Sequence, residues 1–277
     1  MKHIEGTFKG VRNLDIYYQA WLPQAEAEAV LLLVHGLGEH SGRYQNVVDR
    51  FVPLGYAVYG LDHIGHGKSA GAREMVERFT DYTDTLSIYH QMVEGWQPDK
   101  PIFLFGHSMG GLIASYYLLD HSSDFKGAVL SAPAVKISDA ISQGTIIMGR
   151  ILSTLAPKTG VLALDPQGIS CDPDVVEAYV DDPLVFHGKT PARLAAEMMK
   201  AMQRVTAEVA RISLPFIVVQ GGEDKLVDPG GAQMLYEGAS SEDKTIKVYD
   251  GLYHEVCNEP ERARVLEDLQ DWLAAHV

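Results

Sequence analysis

The chain has 277 residues, 46% apolar and 22% charged, a balance that packs a core and excludes a disordered or fibrous polypeptide. Its 23 basic and 37 acidic side chains leave a formal net charge of −14 at pH 7, which repels phosphate backbones and argues against a nucleic-acid partner. Cys171 and Cys257 form neither a disulfide framework nor a C-x-x-C pair, so a reducing, cytoplasmic setting is expected. Met1 to Gly6 lacks the apolar run of a secretory leader, and no apolar window of about 18 residues suggests a membrane span.

In chain order, Thr7–Phe8 and Leu14–Trp21 flank the turn-like Gly10-Val11-Arg12-Asn13, which reads as an antiparallel hairpin at a sheet edge. Short apolar runs then recur at Ala29–Val34, Tyr56–Leu61, Ile102–Phe105, Ala128–Leu130, Phe216–Val219 and Ile246–Tyr249, separated by helical stretches. Strands alternating with helices imply parallel βαβ units, and a run as continuous as Leu31-Leu32-Leu33-Val34 suits a sheet covered on both faces. Between about Val135 and Ile212 the rhythm stops, and Asp-Pro breakers and a helical Ala192–Arg211 stretch take over. The expected division is therefore a core of residues 1–134 and 213–277 with an insertion of residues 135–212. The chain closes on Pro260–Ala275, where Val265, Leu266, Leu269, Trp272 and Leu273 repeat at helical spacing.

The strongest chemical signal is Gly106-His107-Ser108-Met109-Gly110-Gly111, placed between an apolar strand and the helical Leu112–Asp120. A Gly-x-Ser-x-Gly match is weak alone, but strand, motif and helix in succession are what a nucleophile elbow requires. The small residues let strand and helix pass closely, the Ser108 hydroxyl is lifted to the sheet's carboxyl edge, and the Met109 N–H sits at a helix N-terminus ready for an oxyanion. A serine needs a base, and the base needs an acid to hold its tautomer. Asp224 follows the Phe216–Val219 strand and His254 follows Ile246–Tyr249, which gives the order Ser, Asp, His. Glu223 and Asp228 are rival acids, but Glu223 adjoins Asp224 and points elsewhere, and Asp228 before Pro229 suits a helix cap. In His35-Gly36-Leu37-Gly38-Glu39-His40 the glycines free the Leu37 N–H as a second oxyanion donor, with His35 as support. Asp62-His63-Ile64-Gly65-His66-Gly67 superficially resembles a metal cluster but supplies no third ligand at suitable spacing, so it reads as a loop-shaping segment, and no metal or cofactor is expected.

His35 to Tyr44, Gly65-His66-Gly67-Lys68-Ser69, Gly106 to Gly111, Tyr253-His254-Glu255 and Ala178-Tyr179-Val180-Asp181-Asp182-Pro183-Leu184 together resemble the monoacylglycerol lipases, particularly the bacterial members. The resemblance covers almost the whole chain. It implies an α/β-hydrolase with a mostly parallel, doubly wound sheet of about eight strands and an inserted helical cap. It also implies a serine lipase, cytosolic or peripheral at membranes, that cleaves monoacylglycerol to fatty acid and glycerol. The implied triad is Ser108, Asp224 and His254, the implied oxyanion donors are Leu37 and Met109, and a polar glycerol pocket is implied near Glu39, Arg43 and Tyr179. Cys257 stands where a pocket histidine is expected. Read without the resemblance, Ser41 can cap a helix starting at Gly42 and leave Arg43 as a solvated first-turn residue.

The rival enzyme is a lysophospholipase or generalist carboxylesterase, and the rival of another class is a non-catalytic ligand-binding member of the fold, for which an intact triad has no use. Relatives with an aspartate nucleophile are disfavoured by Ser108. Thr145–Ala156 carries Ile146, Ile147, Met148, Ile151, Leu152 and Leu155 with Arg150 its only charge. As a helix it is apolar over most of its circumference, which suits either burial in the core or transient contact of the cap with lipid interfaces, Ile147 and Ile151 sharing a face.

Overall fold

A computed structural model describes residues 1–137 and 142–277; the side chains of Thr145 and Ile146, part of the apolar stretch above, lie outside the described residues. The described elements are, in chain order, β1 (Lys2–Lys9), β2 (Asp15–Leu22), β3 (Ala29–Val34), α1 (Gln45–Phe51), β4 (Tyr56–Leu61), α2 (Thr80–Trp96), β5 (Ile102–His107), α3 (Met109–His121) and β6 (Gly127–Ser131). There follow α4 (Gln143–Leu155), β7 (Gly160–Leu162), α5 (Pro173–Asp181), β8 (Thr190–Pro191), α6 (Ala192–Glu208), β9 (Phe216–Gly221), α7 (Gly230–Gly238), β10 (Lys244–Tyr249) and α8 (Arg262–Ala274).

Eight strands form one sheet in the order β1-β2-β4-β3-β5-β6-β9-β10. β1 and β2 pair antiparallel through the Gly10–Asn13 turn, and β2 meets β4 antiparallel; from β4 to β10 every pairing is parallel. The doubly wound, mostly parallel sheet read from the strand rhythm is thus the observed one. Every residue of β3, β4 and β5 is buried, because successive side chains enter opposite layers. Val30, Leu32 and Val34 pack with α2, α3 and α6, whereas Leu31 and Leu33 pack with α1 and α8. The last strand starts at Lys244, earlier than its apolar run, because β10 is an edge strand whose solvent-facing positions accept Lys244 and Lys247.

Between β6 and β9 the chain leaves the sheet and builds α4, the short antiparallel β7–β8 pair, α5 and α6. α6 is anchored: Leu194, Met198, Ala201 and Val205 are buried in the core, and Asp120 of α3 bridges Arg204 at 2.8 Å and Arg211 at 2.7 Å. α4 packs on α6 and leaves Ile147, Met148, Ile151 and Leu155 exposed. Burial in the core, the alternative for this helix, is therefore not what the described side chains do.

Candidate active site

The carboxyl ends of β3, β5, β9 and β10 bring Leu37, Ser108, Asp224 and His254 to one side of the sheet. Ser108 follows β5 with φ 55° and ψ −120°, a conformation costly for a residue with a Cβ. Hydrogen bonds fix it there: its N–H donates to the Ser131 carbonyl at 3.0 Å, and its carbonyl accepts from Ala134 N at 3.0 Å and Leu112 N at 3.1 Å. Close crossing of strand and helix explains the flanking glycines, since a Cβ on Gly106 would lie 2.5 Å from the Gly110 carbonyl oxygen and one on Gly110 would lie 1.9 Å from that of Val34.

The His254 Nδ1 lies 2.8 Å from Asp224 Oδ2. Asp224 Oδ1 accepts from the Leu226 and Val227 amides at 2.9 and 3.1 Å, and Oδ2 also accepts from Gln220 Nε2 at 2.8 Å. Burial alone would raise the Asp224 carboxyl, but the His254 ring and these amides outweigh it and hold it below the usual carboxylate range. With Nδ1–H held by a carboxylate, Nε2 of the imidazole is the atom left to exchange a proton. The ring of His107 packs 4.8 Å from that of His254, and burial, aided by repulsion from His254, pushes His107 down to about 3. It remains an uncharged neighbour. Asp228 caps α7 by accepting from Gly230 N at 2.9 Å and pairs with Lys136 at 3.0 Å, while the Glu223 amide donates to the Leu252 carbonyl at 3.0 Å. Asp224 is thus the acid that meets the imidazole.

Ser108, His254, Leu37 and Met109 line the floor of a cavity of about 820 Å³. Much of the rest of its lining comes from the inserted segment and is largely apolar, with Met148, Leu152, Leu162, Met198 and Met202 among it, joined by Leu226, Val227 and Asp228 of the core. Among the described residues neither the Leu37 nor the Met109 amide donates to another protein group, and Met109 is the first residue of α3, where helix geometry leaves the N–H without an internal partner.

Glu39, Arg43 and Tyr179 line the same cavity. Arg43 is not a solvated first-turn residue. Its guanidinium reaches Glu255 through two hydrogen bonds of 2.5 and 2.9 Å, reaches Glu39 at 3.1 Å, and lies 4.6 Å over the Tyr179 ring. Burial raises the Glu39 carboxyl against the opposing pull of Arg43, whereas at Glu255 Arg43 outweighs burial and the carboxyl falls below its ordinary value. Nor does Ser41 cap the following helix: His40 Nδ1 accepts from Gly42 N at 3.1 Å, and Ser41 Oγ donates to Asp62 at 2.6 Å. Cys257 does not line the large cavity. Its side chain is buried among apolar residues of the α1–α8 layer and faces a separate void of about 20 Å³ bounded by Arg43, His107 and Glu255. Burial pushes its thiol up to about 12.

His35, His63 and His66 make hydrogen bonds with the backbone. His35 Nε2 accepts from His63 N at 2.9 Å, His63 Nε2 meets the His35 carbonyl at 3.2 Å, and His66 Nδ1 meets that of Ile64 at 3.0 Å. Burial drives all of them down, His63 to about 3 and His66 to about 4. Among the described residues no group of three His, Cys, Asp or Glu side chains is placed to hold a metal ion. Sequence reasoning passed over Glu255 and Glu259, each buried in the loop after His254. Glu255 stood inside a quoted motif, yet its partner Arg43 lies 212 positions away.

Residues 25–261 match the family model described as serine aminopeptidase, S33. The chain is 38% identical over 273 residues to the monoacylglycerol lipase of Mycolicibacterium smegmatis, covering 99% of this chain and 98% of that one. It is 31% identical over 265 residues to the monoglyceride lipase of Rattus norvegicus, covering 95% of this chain and 88% of that one. The crystal structure of the monoacylglycerol lipase of Paleococcus ferrophilus superposes with a TM-score of 0.84 at 29% identity, covering 100% of both chains. The nucleophile-elbow geometry, the sheet order and these matches have one reading: the chain belongs to the serine aminopeptidase S33 family of α/β-hydrolases.

Proposed function

We propose that the protein is a monoacylglycerol lipase whose triad is Ser108, His254 and Asp224. The observation that carries the proposal is that the Asp224-held His254 and the strained Ser108 line one apolar cavity of about 820 Å³. His254 Nε2 takes the Ser108 proton as Oγ bonds to the ester carbonyl carbon, and the Leu37 and Met109 amides hold the oxyanion. Collapse of this intermediate breaks the ester C–O bond, and the glycerol oxygen leaves with the proton from His254. Water, deprotonated by His254, then attacks the acyl-Ser108 carbonyl; the bond from that carbon to Oγ breaks, Oγ takes the proton back from His254, and the fatty acid leaves. Residues 1–134 and 213–277 form the catalytic core on this reading, and residues 135–212 form a cap that holds the acyl chain.

A neutral alcohol end is favoured over a phosphate headgroup by the cavity's charges. Both cations lining it among the described residues, Arg43 and Lys136, are paired with carboxylates. We assign the glycerol hydroxyls to the Glu39, Arg43 and Tyr179 corner and give Cys257 no direct contact with them. The exposed apolar side chains of α4 and β7, Ile147, Met148, Ile151, Leu155, Val161 and Leu162, fit a segment that touches lipid interfaces from a cytoplasmic protein. Among the described residues no helix is long and apolar enough to cross a membrane.

The test pairs a monoacylglycerol assay with a fluorophosphonate label. Wild type is expected to be labelled and to hydrolyse monoacylglycerol faster than lysophosphatidylcholine or the methyl ester of the same acid, and Ser108→Ala to lose both label and turnover. A faster rate on lysophosphatidylcholine would replace the substrate, and an unlabelled, inactive wild type would favour a ligand-binding protein.

A further inference from the structure

The backbone N–H groups of both residues next to His254 are pinned by atoms outside its own loop or at its far end. On one side the Tyr253 N–H donates to Glu259 Oε1 at 2.6 Å, and on the other the Glu255 N–H donates to the Ile169 carbonyl at 2.7 Å. Ile169 belongs to the inserted segment. So do the remaining partners of Glu259: its carboxyl group accepts from Ser170 Oγ at 2.8 Å, from Cys171 N at 3.1 Å and from Cys171 Sγ at 3.0 Å. Burial and this contact with Glu259 push the Cys171 thiol up to about 11, so the sulfur stays a donor. Glu259 is fully buried and its side chain meets donors from two parts of the fold. The backbone before His254 is further confined because a Cβ on Gly221 would stand 1.9 Å from the Tyr253 carbonyl oxygen.

Resting on the reading of His254 as the base, we infer that Glu259 is a positioning residue that sets the placement of the imidazole by tying its loop to residues 169–171 of the inserted segment. The chemistry needs an acceptor. Every side-chain contact of Glu259 is a donor aimed at one of its oxygens, so a glutamine, whose NH₂ group donates and cannot accept, must turn a donor towards a donor at one of them. The loop then shifts, and a shift of about 1 Å in a catalytic group costs on the order of 100-fold in rate without touching the substrate's own contacts. The coupling also means that the insertion does more than roof the cavity: residues 169–171 are part of what holds the base.

The experiment compares wild type, Glu259→Gln, Ser170→Ala, His254→Ala and the His254→Ala/Glu259→Gln pair on a soluble short-chain ester, which removes any need for a lipid surface. Glu259→Gln is expected to lower kcat by about 10- to 100-fold with KM within about twofold, and Ser170→Ala to lower kcat by about threefold with the same unchanged KM. The double variant is expected to be no slower than His254→Ala alone, because positioning acts through the imidazole. Folded Glu259→Gln with a kcat near that of wild type, or a double variant slower than His254→Ala by the full single-variant factor, overturns the proposal. If Glu259→Gln does not fold, Ser170→Ala decides alone: a lowered kcat at constant KM supports the role and an unchanged kcat overturns it. Activity surviving in His254→Ala overturns the base assignment and this inference together, whereas its loss beside an unchanged Glu259→Gln overturns this inference only.

Discussion

In the strands that lead to the catalytic residues Val34, Leu61, Phe105 and Val219 are at most 1% exposed, whereas on α4 Ile147, Met148, Ile151 and Leu155 are 55, 62, 47 and 79% exposed. Gly36 and Ser108, just past two of these strands, and Met148 and Leu152 of α4 line the same cavity. The floor is made of strands buried on both sides, and the acid on it is firmly held, Asp224 meeting Gln220, Leu226, Val227 and His254. α4 has fewer such ties: several of its apolar side chains face outward, and Arg150 meets Gln203 Oε1 of α6 at 3.0 Å. Even within the inserted segment the contrast repeats, since α6 and the turn after it are clamped to Asp120 through Arg204 and Arg211 while α4 rests on α6. Reaction chemistry that tolerates little displacement sits on the floor, and on the proposed reading the acyl chain meets the more exposed α4.

The largest effects are therefore expected on the floor. His254→Ala and Asp224→Asn should each lower kcat by about 10³- to 10⁴-fold, since a triad acts as a unit, and combining either with Ser108→Ala should add little. Asp228→Ala, which removes the cap of α7 and an ion pair with Lys136, should leave kcat within a few-fold of wild type and lower stability by about 1 kcal/mol. Steady-state kinetics with a denaturation curve for each variant checks this. An inactive, folded Asp228→Ala beside an active Asp224→Asn would move the acid to Asp228.

Next in size is the buried ion cluster of Glu39, Arg43 and Glu255 at the proposed alcohol corner. Removing Arg43 leaves Glu39 and Glu255 buried without their cation, and loss of one partner from such a group costs about 3–5 kcal/mol. Arg43→Ala should thus show a large fall in urea midpoint as well as lost activity. Tyr179→Phe removes a single hydroxyl that lines the cavity, so it is the cleaner probe of glycerol: the rate ratio of monoacylglycerol to methyl ester should fall by about 5- to 20-fold, equivalent to 1–2 kcal/mol, with little change in stability. An unchanged ratio would move the hydroxyl site elsewhere.

The histidine cluster behind the Leu37 loop gives an effect on stability that depends on pH. His35, His63, His66 and His107 are all held below their ordinary value by burial, with His63 and His107 at about 3 and His66 at about 4. In the unfolded chain each binds a proton near 6.5, so between that value and the folded one the unfolded state carries more protons. Stability is then full above about pH 6.5 and is lost as pH falls, by up to about 1.4 kcal/mol per pH unit for each histidine titrating in that window. Urea midpoints at pH 7, 6 and 5 should fall steadily, and His66→Gln should flatten the slope. A midpoint independent of pH would contradict these burials.

Much of the floor is legible in the sequence because its signals are local. Ala29–Val34 and Tyr56–Leu61 are unbroken apolar runs and coincide with β3 and β4, and the Ser108 turn announces itself through glycines that sterics demand on both sides. What escapes is whatever depends on a distant partner. Ser41 looks like a helix cap until Asp62 takes its hydroxyl, and Arg43 looks solvated until Glu255 arrives from 212 positions away. Glu259 is silent for the same reason, because its donors at Ser170 and Cys171 are brought to it only by the fold. α4 is the opposite case. Its apolar composition is plain, but composition cannot say which face meets protein, and the structure answers by setting Leu152 towards the cavity and Ile147, Ile151 and Leu155 outward.

The smallest expected effect concerns that outward face, and it separates roof from floor. A leucine side chain moved fully from water to an apolar phase gains about 1.5–3 kcal/mol. Leu155, at 79% exposure, has most of that gain still available to a lipid surface and almost none invested in the fold. Leu155→Asp should therefore change folding stability by about 0.5 kcal/mol or less and leave hydrolysis of a soluble short-chain ester unchanged. On monoacylglycerol presented in neutral phosphatidylcholine vesicles the same change removes about 1–2 kcal/mol of attachment, so vesicle binding should fall by roughly tenfold, with Ile147→Asp giving a similar or smaller loss. Neutral vesicles matter because the chain's net charge of −14 would confuse the result on anionic ones. If Leu155→Asp instead lowers the urea midpoint and both activities together, α4 is packed in solution and the contrast between floor and roof dissolves. If it leaves both assays and vesicle binding unchanged, the exposed row does not face lipid, and the substrate reaches the cavity by diffusion through water.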